Sequence, residues 1–231
     1  MTLSPVFAKA WVLRGARRKE VFTLFASPNS TKKQLSIGSI TRIATVAALY
    51  ASLTLVCLLF LGGLAWGPVQ LRISEALCVL AILTSDAVPG LALGCVIANV
   101  ANIALSGTGM LGMLDVVFGS LATLTGAAIS WRLRARPRLA VLGPVVANAV
   151  IVPAYLPLLL QGLGFYTIPF TDVSLDGMYP LMYLFGLVAT GIGEAVVLYA
   201  LGLPLLGALE RSGLPKMLAG EGGEDHEPGR A

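Results

Sequence analysis

The chain is poor in the side chains on which soluble catalysis and metal chemistry depend. Among 231 residues it has one histidine, His226, three cysteines, and only 12% Asp, Glu, Lys and Arg together. No apolar stretch contains a histidine, so an intramembrane serine nucleophile would lack its usual base and an imidazole metal site would lack its ligands. Asp115 lies in MLDVVF and not in the GxGD pattern of intramembrane aspartyl chemistry. There is no GxxxxGK[ST] loop, so the chain has no phosphate cradle with which to hydrolyse ATP. Cys57, Cys78 and Cys95 stand apart, without CxxC spacing, and are expected to pack as small apolar residues. These absences argue against an enzyme, and no cofactor is expected within the chain.

What the chain has in abundance is apolar length. It is 56% hydrophobic with a positive mean hydropathy, a composition that belongs to membrane proteins. About 20 helical residues cross a hydrocarbon core of roughly 30 Å. Six stretches approach that length: 40 to 64, 68 to 84, 87 to 105, 110 to 131, 139 to 161 and 179 to 205. Their apolar runs are continuous, not alternating, which favours helices over a barrel. The expected fold is therefore an all-α integral membrane protein, a bundle of six transmembrane helices.

Basic residues near span ends stay preferentially on the cytoplasmic side. Lys9, Arg14, Arg17, Arg18, Lys19, Lys32, Lys33 and Arg42 precede or open the first span; Arg132, Arg134, Arg136 and Arg138 follow the fourth; Arg211, Lys216 and Arg230 follow the sixth. With six spans and both termini cytoplasmic, only Arg72 falls on the outer side. The net charge of +4 is thus accounted for by topology and lipid headgroups, and nucleic acid is not an expected partner. Residues 1–38 are expected to form a basic cytoplasmic extension, partly disordered or interfacial, 39–209 the transmembrane domain, and 210–231 a flexible acidic tail. The longest outer loop, 162–178, mixes aromatics with Pro169, Asp172 and Asp176, which suits an interfacial aromatic belt or a lid.

The polar residues inside the spans are the functional clue. At 1.5 Å per residue, Arg72, Asp115 and Asn102 fall roughly 6 to 7 Å below the outer face, Glu75 and Asn99 roughly 10 Å, and Glu194 roughly 20 Å; Asn148 falls near the midplane. Ionisable groups at such depths cost about 2.5 to 3.5 kcal/mol each and usually face a bundle interior or polar cavity. Gly90, Gly94, Ala98 and Asn102 share one face of the third span, and Asp115, Gly119, Ala122 and Gly126 one face of the fourth. Arg72 and Glu75 alone could be a self-neutralising pair three residues apart, and the two amides interhelical glue. Asp115 and Glu194 have no local cation, which favours a shared pocket for a polar ligand. SEAL (74–77) and GEAV (193–196) hint at a repeat, but three shared positions do not establish one.

Four stretches in order, GPVQLRISEAL, AVPGLALGCVIAN, LDVVFGSLATL and GIGEAVVLYALGLPLL, resemble the QueT family, the queuosine-precursor substrate-binding (S) components of energy-coupling-factor (ECF) transporters. The resemblance covers residues 40 to about 210. It implies an S component in the bacterial cytoplasmic membrane that captures its solute from outside and docks on a transmembrane coupling subunit. Two cytoplasmic partner ATPases would consume the ATP. Family S components present AxxxA on the first helix to the coupling subunit; Ala44 with Ala48 and Ala47 with Ala51 supply two overlapping copies. The basic extension and acidic tail depart from the family pattern and leave the core unaffected.

The expected cargo is a 7-deazaguanine or queuine-like base. Its N1–H and N2–H donors would meet a carboxylate, its O6 an arginine or amide, which assigns the site to Glu75, Arg72, Asn99, Asn102, Asp115 and Glu194. Trp66, Tyr179 or a loop aromatic would stack on the ring. The competing readings are an S component for another vitamin-like molecule, a stand-alone proton-coupled carrier using Asp115 or Glu194, and a membrane interaction protein whose buried polar groups only hold helices together.

Overall fold

In a computed structural model of the chain, residues 36–61, 72–162 and 178–214 are described, and among them there is no strand. Five helices are long and apolar enough to cross a membrane: α1 (Ile37–Leu61), α3 (Ala87–Ser106), α4 (Gly109–Arg132), α5 (Pro137–Gly162, stepped at Val141) and α6 (Tyr179–Arg211). Each falls within a few residues of a stretch expected from hydropathy. The expected second span differs. Its described part, α2, is a 3-10 segment, Ile73–Val79, running into one α-turn, Leu80–Leu83. At 2.0 and 1.5 Å rise per residue that is roughly 20 Å, short of the hydrocarbon thickness. Six full-length crossings are thus not seen among the described residues, and 62–71 lie outside them. So do residues 1–35 of the N-terminal extension, most of loop 162–178 and residues 215–231 of the tail.

The bundle is apolar outside and carries its polar residues within. Leu59, Ile97, Val117, Val150, Leu184 and Ile192 are exposed, whereas Arg72, Glu75, Asn99, Asn102, Asp115, Asn148 and Glu194 are buried. That inversion suits a solvent of lipid tails, which leaves helix association to close packing and internal polar contacts. The small faces supply the close packing. A Cβ on Gly94 would stand 2.7 Å from the Ala47 carbonyl oxygen, so α1 and α3 cross with their backbones nearly touching. Gly186 of α6 takes Pro153 of α5 in the same way, at 2.9 Å. Around these contacts Tyr50, Val79, Leu91, Cys95, Ala127, Val141 and Leu198 form the main core.

Helix ends and irregular turns fix how the elements sit against one another. Ser39 Oγ (2.6 Å) and Arg42 Nε (2.7 Å) both bond the Asp86 carboxylate, tying the start of α1 to the turn between α2 and α3. The chain leaves α3 through Gly107, whose φ of 67° few other residues adopt readily. Two π-turns interrupt the long helices, Asp115–Gly119 in α4 and Leu198–Gly202 in α6. In the second, the Cβ position of Gly202 is 3.0 Å from Val79 Cγ1, so α2 packs along α6.

Candidate functional site

The site begins at Tyr50, the middle of α1. A tyrosine at that depth must bury its hydroxyl with an acceptor, and it donates to Glu75 Oε1. The other carboxylate oxygen accepts from Cys78 Sγ at 3.2 Å. Glu75 is therefore gripped from two helices. Thr54, one turn beyond Tyr50, brings its hydroxyl within 2.7 Å of Ser74, pinning the start of α2 to α1. Tyr50 is near the centre of α1, so the bond places Glu75 level with the middle of that helix.

Arg72 and Glu75 do not form an ion pair. The guanidinium instead donates from Nη2 to Asn99 Oδ1 at 3.1 Å. Asn99 passes the contact on: its Nδ2 donates to the Asp115 backbone carbonyl at 2.8 Å and approaches Cys95 Sγ at 3.5 Å. That carbonyl opens the first π-turn. A widened turn of this kind disturbs the regular ladder and is frequent at functional positions. The Asp115 side chain accepts from Tyr155 OH of α5 at 2.5 Å, and Phe118 stacks on the Tyr155 ring with centroids 5.7 Å apart. Gly119 leaves the room: a Cβ there would lie 3.2 Å from Asn99 Nδ2 and 3.3 Å from Tyr155 OH.

The structure thus joins Arg72, Asn99 and Asp115 in one buried chain of hydrogen bonds that reaches Tyr155 of α5, and holds Glu75 in a second cluster with Tyr50 and Cys78. Glu194 of α6 has Glu75 and Arg72 within electrostatic range, and its Oε2 has no hydrogen-bond partner among the described residues. Among the described residues, Asn102 is buried with Oδ1 unpartnered, and Arg72 keeps Nε unpartnered. Both line one cavity of about 10 Å³ together with Thr54, Ala98 and Asn99, room for a single water. Among the described residues, the buried charged side chains are one guanidinium and three carboxyls, Glu75, Asp115 and Glu194.

Sequence reasoning missed Tyr50, Tyr155, Thr54 and Ser74. The available signal was a tyrosine far from either interface. Cys78 and Cys95 also do more than pack, since each meets a polar site residue, whereas Cys57 is simply buried. Tyr179 is half exposed, donates to the Ala154 carbonyl at 2.7 Å and stacks on Tyr183, and Trp66 lies outside the described residues. Of the alanines, Ala44 and Ala48 face outward while Ala47 and Ala51 are buried at 2% and 5% exposure.

The family model described as QueT transporter matches residues 40–211, from the first turn of α1 to the last of α6. The chain belongs to the QueT transporter family. It is a multi-pass membrane transport protein, and QueT membership explains an inward-facing polar network in a chain with no catalytic motif. No curated protein and no solved structure matches the chain.

Proposed function

We propose that this QueT protein is the solute-capturing S component of an ECF importer in the bacterial cytoplasmic membrane, with six helices and both termini cytoplasmic. It takes a 7-deazaguanine or queuine-like base from outside, and partner ATPases supply the energy. The observation that carries the reading is the pair of unpartnered polar atoms, Arg72 Nε and Asn102 Oδ1, on one small cavity. A planar base with O6 beside N1–H offers an acceptor and a donor side by side, which these two atoms complement. Glu75 has both oxygens engaged, yet each retains acceptor capacity, so it can still receive an N–H. A base exceeds the cavity, so binding requires the walls to part.

The test is native mass spectrometry and titration of the purified chain with 7-deazaguanines. Retention of a base that weakens about tenfold or more in Asn102→Ala and Glu75→Gln supports the assignment, as loss of a charge-assisted bond of 1.5 to 3 kcal/mol would predict. Unchanged affinity in both variants would remove these residues from recognition. Docking on the coupling subunit is assigned to Ala44 and Ala48, which face outward, over the buried Ala47 and Ala51. Ala48→Leu should block assembly while solute binding persists.

A second reading is favoured by the three buried carboxyls around one guanidinium. Such a set suits a proton-coupled carrier. Uptake abolished by a protonophore yet indifferent to ATP depletion would select it.

A further inference from the structure

At the end of the bundle that carries the arginine-rich turn, a groove of about 530 Å³ opens between the start of α5 and the last turns of α6. The half-buried Leu203 and the buried Leu206 form its apolar floor; Arg136 and Arg138 stand on one wall and Glu210 on the other. Arg134 is engaged, with its guanidinium 3.9 Å over the Trp131 ring and Nη1 donating to the Trp131 carbonyl. By contrast, the side chains of Arg136, Arg138 and Glu210 make no ion pair among the described residues, although all three border the same groove. The groove therefore offers unpaired charge of both signs above a hydrocarbon floor, at the level where Trp131 suits the membrane interface.

We propose that this groove binds a zwitterionic phospholipid bearing a primary amine, a phosphatidylethanolamine. Its phosphate lies between Arg136 and Arg138, its ammonium meets Glu210, and its glycerol and first methylenes cover Leu203 and Leu206. Arginine suits the phosphate because its planar donors engage two oxygens at once. Glu210 decides the class. It would repel an anionic headgroup, and a quaternary ammonium has no N–H to give it. The acidic residues of the tail, Glu221, Glu224, Asp225 and Glu227, carry charge for the arginines but none for Glu210. Lipid binding here is independent of which solute is carried.

The experiment uses the full chain in mixed micelles containing equal phosphatidylethanolamine, phosphatidylglycerol and phosphatidylcholine, with retained lipid counted by native mass spectrometry. Phosphatidylethanolamine should be retained about two- to fivefold over either competitor, the range expected for exposed charge pairs. Glu210→Gln should abolish that preference, Glu210→Lys should turn it toward phosphatidylglycerol, and Arg136→Gln with Arg138→Gln should lower retention of both. All three positions are exposed, so unchanged thermal unfolding serves as the folding control. Equal retention of the three lipids, or a preference indifferent to Glu210, overturns the proposal. So does phosphatidylethanolamine binding that appears only when residues 215–231 are deleted, because the tail would then be the occupant.

Discussion

Two sets of buried polar residues share the bundle, and they are finished differently. In the set built by α1 to α4 with Tyr155, Glu75, Asn99 and Asp115 each have hydrogen-bond partners from other helices. In the set on α5 and α6, Asn148 Nδ2, Thr190 Oγ1 and Glu194 Oε2 have none among the described residues, and in the first set Arg72 Nε, Asn102 Oδ1 and Ser120 Oγ are left over as well. A satisfied network inside low dielectric rigidifies and fixes geometry, whereas an unpartnered buried group costs free energy and signals a function or a missing partner. The first set is thus the frame of the site. Unspent polar capacity remains in both sets: in the first it is gathered at the cavity, on Arg72 Nε and Asn102 Oδ1, and in the second it is scattered over α5 and α6.

The largest test of that contrast is Asn99→Leu. It removes the acceptor of Arg72 and the donor to the Asp115 carbonyl together, and two orphaned groups at roughly 1 to 3 kcal/mol each should cost about 3 kcal/mol or more. Denaturation of the purified protein in detergent measures it. Next comes Tyr155→Phe, which deletes one donor to Asp115 and should cost about 1 to 2 kcal/mol. Ala51→Leu belongs to the same range, about 1 to 3 kcal/mol from overpacking the inner face of α1, while Ala48→Leu on its outer face should leave stability unchanged. The smallest effect is expected in the second set. Thr190→Val keeps the shape and removes an unpartnered hydroxyl, so it should be neutral or stabilising by up to about 1 kcal/mol. If Thr190→Val destabilises as much as Tyr155→Phe, the two sets are not different in kind.

The long helices were legible because their signal is length and hydropathy, which a bilayer imposes directly. All six expected site residues are buried, and three of them, Arg72, Asn99 and Asp115, share one chain of hydrogen bonds. The partners of those residues were not legible. Tyr50 and Glu75 are 25 positions apart, Tyr155 and Asp115 are 40 apart, and no local spacing rule connects them. The second span is described only from residue 72 on, and there apolar content did not distinguish an α-helix from a 3-10 segment, so depth estimates inherit the assumed rise. The two alanine pairs looked equivalent, since AxxxA says nothing about which face meets α3. The short motifs around Glu75 and Glu194 share few letters, yet the structure places the two carboxyls within electrostatic reach.

The π-turn at Asp115–Gly119 works as a phase shifter. It holds one residue more than a regular turn, and one residue on an α-helix is worth about 100° of rotation. The Gly109 end of α4 is therefore rotated out of step with the Arg132 end. A single inserted codon at this point would be enough to swing an aspartate from one wall of the bundle to another, without moving any residue of Ser120–Arg132. Such a change leaves hydropathy intact and alters what the cavity is made of.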